Sequence, residues 1–181
     1  PYFWVFMDIS QEDFYLMALQ AIDGLGPIKA NMLLNGFSNP SEIFLASKKD
    51  LKHRVTGLSE DILNQIVNKS SFNDVETESK FCKKNGIDIV TFYSVNYPVR
   101  LNLMQDKPLV LYKKGTVYPK IKRSLAIVGT RKSTEYGHKF LDQLFEELIG
   151  IKDLCVISGL ALGIDQKAHG LSVKHAIPTI A

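Results

Sequence analysis

Two stretches of this 181-residue chain carry residue types that can hold an anion. The first, Ser124 to Lys132, reads Ser-Leu-Ala-Ile-Val-Gly-Thr-Arg-Lys, and the second, Cys155 to Asp165, reads Cys-Val-Ile-Ser-Gly-Leu-Ala-Leu-Gly-Ile-Asp. Each passes from a short apolar strand through a glycine-bearing turn into a helix. The first backbone N–H groups of a helix have no partner inside it, and the helix dipole places partial positive charge there, so a phosphate suits such a turn. Gly129 and Gly159 fall where the strands end, and a residue without Cβ lets the backbone turn sharply and a ligand come close. Arg131 adds a planar, permanently charged fork, and Lys132 a second positive charge beside it.

Several chemistries fit these residues poorly. The turn from Gly129 to Gly137 lacks G-x-G-x-x-G, and no acidic residue follows at the distance that would hold a ribose, which disfavours a nicotinamide or flavin dehydrogenase. There is no GxxxxGK[ST] for P-loop hydrolysis of a nucleoside triphosphate. Asp165 and His169 lie four apart on one helix face, but no Ser or Cys nucleophile is evident beside them. The expectation is a helix-start carboxylate and a packed or hydrogen-bonded histidine, with no catalytic residues. Arg131 could instead pair with Glu135, one helical turn on. Tyr97 and Tyr136 could stack on bases or sit partly buried with tethered hydroxyls. Cys82 and Cys155 are far apart, without a CxxC or neighbouring His, so neither disulfide nor zinc site is indicated, no cofactor is expected, and a reducing cytoplasm is the default.

Charge is unevenly distributed. Residues 1–90 carry 9 Lys/Arg against 12 Asp/Glu, a net −3, whereas residues 91–181 carry 13 against 7, a net +6. A basic half suits a polyanionic partner, and a solvated surface is the other reading. No apolar run reaches membrane-spanning length; the longest candidate is Pro1 to Met7, which has neither the basic flank nor the cleavage pattern of a secretory signal.

The elements that must position the two turns follow from the pattern. Ser10 with Asp13 marks a helix start, with Phe14, Met17, Ala18 and Ala21 at helical spacing. Gly24-Leu25-Gly26-Pro27 then turns into a helix carrying Ala30, Leu33 and Leu34. This resembles a helix-hairpin-helix element, and Thr56 to Glu60, followed by Ile62, Ile66 and Val67, is a weaker second copy. Two such hairpins make an all-α bundle like a sterile-alpha-motif domain over residues 1–72. Either turn could meet a nucleic-acid phosphate, but the negative charge of this half favours turns that merely connect helices. The boundary is expected in the polar stretch 68–74, before a helix from Val75 to Asn85 capped by Gly86. Strands are expected at 87–92 and 108–112, and lysines 113–114 and the basic segment Lys120 to Arg123 read as solvated loops. Beyond Ser133 a helix with Phe140, Leu144 and Leu148 in one row and Leu141 beside them is expected to pack on a sheet, followed by strand 155–157, helix 164–175 and a third strand from Ile177. Strand–helix–strand–helix–strand predicts right-handed crossovers and part of a doubly wound, Rossmann-like parallel α/β sheet over 73–181, in a fragment of a longer protein.

Ala126 to Lys132, Tyr136-Gly137, Ser158-Gly159-Leu160-Ala161, Gly163-Ile164-Asp165 and Ala168-His169 closely resemble the DNA-processing protein A (DprA/Smf) family of bacteria. The likeness extends upstream through Tyr97-Pro98, Leu101, Asp106, Pro108, Leu111-Tyr112 and Gly115. It implies a non-enzymatic, single-stranded DNA-binding protein of natural transformation that protects incoming strands and loads a RecA-type recombinase. It further implies an extended Rossmann-like domain, a homodimer in the full-length protein and a basic pocket at the C-terminal ends of the strands. On that resemblance Arg131 contacts a backbone phosphate, Lys132 adds charge, and the amides of Gly129, Thr130, Ser158 and Gly159, in turns reaching Leu160, cradle phosphates. Leu162 departs from the pattern, since the family commonly has Arg there. A different class is a nucleotide-processing enzyme, such as a phosphoribohydrolase of the lysine-decarboxylase-like family, which shares this general sheet and would need a Pro-Gly-Gly motif and a catalytic Glu beyond residue 181.

Overall fold

The computed structural model describes residues 9–115 and 121–181; the apolar run Pro1 to Met7 and Lys120 lie outside the described residues. The chain divides into two compact units, Pro1–Gly115 and Thr116–Ala181. Among the described residues no helix is long and apolar enough to cross a membrane.

The first unit begins with α1 (Gln11–Gln20), whose start is fixed as its sequence predicts. Ser10 Oγ accepts the amide of Asp13 at 3.1 Å and donates to its carboxylate at 2.6 Å. Then come α2 (Pro27–Gly36), α3 (Pro40–Ile43), α4 (Lys48–Arg54), α5 (Glu60–Val67) and α6 (Phe72–Asn85). Gly86 closes α6 in the left-handed region, with φ 61°. On α5 the buried stripe is Ile62, Leu63 and Ile66, and Val67 turns outward. Ser47 and Ser59 cap α4 and α5 by accepting the amides of Asp50 and Ile62. Ser59→Ala should therefore cost about 1 kcal/mol, read as a lower urea midpoint with an unchanged denaturant slope.

The two hairpin turns are stitched to the bundle. Gln65 accepts the Asp23 amide at 3.1 Å and donates to the Asp23 carbonyl at 3.2 Å, and Lys29 Nζ donates to the Gly57 carbonyl at 2.6 Å. The lysine that follows the first turn is thus committed to the second.

The domain boundary is displaced from its expected place. Residues 68–74 form no linker: Phe72 packs edge-on against Phe14 and Tyr15, with ring centroids 5.0 and 5.6 Å away, and Ser71 Oγ donates to the Ala18 carbonyl at 2.8 Å. The strands β1 (Asp88–Thr91) and β2 (Val110–Lys113), read from the sequence as part of the sheet domain, pair antiparallel among the described residues only with each other, on either side of the short α7 (Val99–Asn102). They belong to the helical unit because Leu109 and Val110 are buried in its core and two side chains of α1 hold them. Thr91 Oγ1 donates to Asp13 at 2.6 Å, while the Gln20 amide both donates to the Val110 carbonyl (3.0 Å) and accepts its N–H (2.9 Å).

The second unit is a three-stranded parallel sheet in the order β3 (Arg123–Ala126), β4 (Leu154–Ile157), β5 (Thr179–Ile180). The crossovers are α8 (Glu135–Leu148) and α9 (Ile164–Lys174), which pack against each other. Strands in sequence order with right-handed crossovers place both helices on one face, the arrangement of one half of a Rossmann-like α/β sheet. The buried row on α8 is Leu141 and Phe145, flanked by Leu144 and Leu148. Phe140 is exposed, a correction to the expected row: it lies one position off the stripe that meets the sheet.

Candidate anion-binding site

Both glycine turns sit at the C-terminal ends of their strands, and the chain holds them to each other. Asp165, in the first turn of α9 and 5 % exposed, accepts the Gly129 amide on Oδ1 and the Gly159 amide on Oδ2, each at 3.2 Å. The Ile164 amide donates to the Thr130 carbonyl at 3.2 Å. Two backbone donors and the positive end of α9 compensate the buried carboxylate. The residue expected to start a helix thus also locks two loops together.

Close packing enforces the glycines. A Cβ on Gly129 would lie 2.6 Å from the Ile164 side chain, and one on Gly163 would lie 2.4 Å from the Thr130 carbonyl oxygen. Gly163 also has φ 88° and ψ −124°, a conformation that side-chain-bearing residues avoid. Leu160, exposed at the tip of the second turn, is held at φ 55°, uncommon for a bulky residue.

This geometry revises the expected phosphate cradle. The amides of Gly129 and Gly159 are committed to Asp165, and the Ser158 amide is committed to the sheet, donating to the Ile180 carbonyl at 3.0 Å. The Ser158 hydroxyl, in a buried residue, donates to the Ile127 carbonyl at 2.7 Å. The donors left are at the rim. Among the described residues the amides of Thr130, Arg131 and Leu160 have no acceptor, and the side chains of Arg131 and Lys132 have no ion partner. The Lys132 amide donates to the Thr130 hydroxyl at 3.1 Å, which shapes the turn. Glu135, the alternative partner for Arg131, pairs instead with Lys139 at 2.9 Å.

The other residues singled out in the sequence sort clearly. Tyr97 is buried, its hydroxyl donating to the Pro108 carbonyl at 2.6 Å, and burial pushes its phenol above the usual tyrosine range. Tyr136, at the start of α8, is 80 % exposed and free to stack. His169 is buried and contacts Thr179 Oγ1 through Nδ1 at 2.8 Å. Thr179 Oγ1 donates onward to the Val156 carbonyl, so Nδ1 carries the proton and the histidine serves as a packed, hydrogen-bonded residue. Leu162 is 69 % exposed, as the position of a cation would be, but contributes no charge.

A family model described as DNA recombination-mediator protein A matches residues 88–181, more than half of the chain. The chain belongs to this family. The match begins at β1, so the recombination-mediator signature spans the β1–β2 hairpin of the first unit as well as the whole second unit. The DNA processing protein DprA of Bacillus subtilis is 38% identical over 93 residues, covering 51% of this chain and 31% of that protein. DprA of Streptococcus pneumoniae is 34% identical over 89 residues, 47% of this chain and 29% of that protein. Protein Smf of a Synechocystis species is 25% identical over 177 residues, 95% of this chain and 44% of that protein. The X-ray structure of DNA processing protein A from Streptococcus pneumoniae superposes with a TM-score of 0.56 at 21% identity, covering 96% of this chain and 57% of that one, and agrees in fold. The chain therefore spans between about three-tenths and just under half the length of these curated relatives.

Sequence reading alone missed the loop-locking role of Asp165 and a group of charged residues between the helices of this family member. Arg131, Lys132, His138, Asp142, Lys167 and Lys174 line an open groove of about 660 Å³ between α8 and α9. The seven-residue spacing of Lys167 and Lys174 and the four-residue spacing of His138 and Asp142 were the available signal, since each pair shares a helix face.

Proposed function

We propose that this chain is the strand-binding part of a non-catalytic protein that holds single-stranded DNA by its phosphates at the β3–α8 turn. The observation that carries the reading is the exposed pair Arg131 and Lys132, without an ion partner among the described residues, at the C-terminal end of a parallel strand, in a turn that Asp165 has already set in shape. Membership of the recombination-mediator family supports a nucleic acid as the anion. Within natural transformation the full-length protein would protect incoming strands in the cytoplasm and help to load a RecA-type recombinase, acting as a homodimer. Guanidinium and ammonium contacts to phosphate position a strand without reading its sequence, and Tyr136 offers a ring on which a base can stack. Rim amides at Thr130, Arg131 and Leu160 replace the buried amides as the backbone donors in this scheme.

Arg131→Ala should weaken binding of labelled oligo-dT about tenfold at moderate salt and flatten the dependence of log affinity on log salt by about 0.7, the contribution of one phosphate contact on a single strand. Fluorescence anisotropy across a salt series measures both. Unchanged affinity together with an unchanged slope would remove Arg131 from the role assigned to it, and tighter binding to duplex than to oligo-dT would count against a single-strand ligand.

A further inference from the structure

The groove between α8 and α9 is built differently from the turn at its mouth. Arg131 and Lys132 stand at one end and Lys174 at the other, with Lys167 between them. From Gly163 to Lys174 the wall of α9 runs about 16 Å, at the usual rise per residue. Gly170 leaves part of that wall bare, since a Cβ there would meet nothing within 4 Å. Among the lining residues four permanent cations face a single carboxylate, Asp142.

That carboxylate is engaged. Asp142 Oδ1 lies 2.7 Å from Lys167 Nζ, and Lys167, then Lys174 and His138, hold the Asp142 carboxyl below the usual carboxylate range. Lys132 and Lys174 have no ion partner among the described residues. His138 is turned to Ser133, with Nε2 2.6 Å from its hydroxyl. A row of cations with one internal anion inserted among them has the charge pattern of a phosphate track in which one phosphate position is already filled by the chain itself.

We propose that this groove continues the phosphate track from the Arg131 turn along α9 to Lys174, and that Asp142 is a built-in competitor that holds Lys167 in place of a strand phosphate. The inference rests on the strand-binding reading above and deepens it, because it gives the strand a direction across the unit. A strand phosphate could reach Lys167 only by displacing the Asp142 carboxylate, so in the parent protein the internal pair is kept and Lys167 is withheld from the strand. The competitor keeps affinity below what four cations would otherwise give.

The test is a pair of substitutions read beside Arg131→Ala with the same oligo-dT and salt series. Asp142→Asn keeps the shape of the side chain and removes its charge; affinity should rise threefold to tenfold, and the salt dependence should steepen by about 0.7 as Lys167 takes up a phosphate. Lys174→Ala should lower affinity threefold or more and flatten the slope by a similar amount. The Asp142–Lys167 pair lies at the surface, where such pairs add little to stability, so both variants should keep the parent circular dichroism and melting behaviour. If Arg131→Ala weakens binding while Asp142→Asn and Lys174→Ala leave affinity and slope unchanged, or if Asp142→Asn weakens binding, the groove is no part of the track and the strand-binding reading stands alone. If all three variants bind like the parent, the strand-binding reading itself falls.

Discussion

Replacing Gly163 with alanine should cost the second unit about 3 kcal/mol and abolish most strand binding, the largest effect expected of any single methyl group in this chain. Two causes act together. The φ of 88° and ψ of −124° lie where a side-chain-bearing residue pays roughly 1–3 kcal/mol of strain. The new Cβ would also stand 2.4 Å from the Thr130 carbonyl oxygen and 2.7 Å from that of Arg131, both backbone atoms with no rotamer to escape into. Relief must come from moving the turn that carries Arg131, which couples the stability loss to binding. Gly170→Ala supplies the contrast: its Cβ enters open space within the same helix, so it should stabilise by about 0.5–1 kcal/mol through helix propensity. Chemical denaturation followed by circular dichroism measures both. A Gly163→Ala protein as stable as the parent would show that the two turns are less tightly packed than described.

The second large effect is expected at Asp165. In Asp165→Asn one oxygen remains as acceptor, but the other position becomes an NH2 group that faces an N–H donor, and the charge that strengthened both bonds is gone. Leaving a largely buried donor unmatched costs about 1–3 kcal/mol, and loss of charge from the remaining bond adds to it, so a total of about 2–4 kcal/mol is expected. The decisive readout is local. Amide hydrogen exchange at Gly129 and Gly159 should accelerate well beyond that of the β4 amides, because the two turns are released before the sheet opens. Protection of both glycine amides at the parent level would refute the bridging role.

The two effects explain what the sequence could and could not disclose. Gly129, Thr130, Arg131 and Lys132 were legible as a turn after a strand because apolar residues, glycine and helix-start signals occur together within ten positions, and the structure places that turn as expected. The identity of the ligand for the glycine amides was not legible. A helix-start carboxylate six residues beyond Gly159 and thirty-six beyond Gly129 looks local on paper, and only the parallel pairing of β3 with β4 brings both amides to it. The displaced domain boundary has the same origin. Asn68 to Asp74 is polar in composition, yet Phe72 within it is held in an aromatic cluster with Phe14, Tyr15 and Phe44, contacts made across long sequence separations. Periodicity likewise placed the row on α8 one position early, because Phe140 and Leu141 are both apolar and only the sheet decides which of them faces inward.

The double hydrogen bond from Gln20 to Val110 has a consequence for how this protein behaves at high concentration. In the antiparallel pair the Phe92 amide bonds to the Leu109 carbonyl, which leaves the neighbouring Val110 N–H and C=O pointing away from β1. Such outward groups on a two-stranded ribbon form a template on which a strand from another molecule can add. One glutamine side chain on a helix satisfies both at once, imitating the peptide group of a third strand at that point. It guards the β2 edge against intermolecular pairing at Val110, while the far end of the strand carries the charged Lys113, the device that exposed strands more often use.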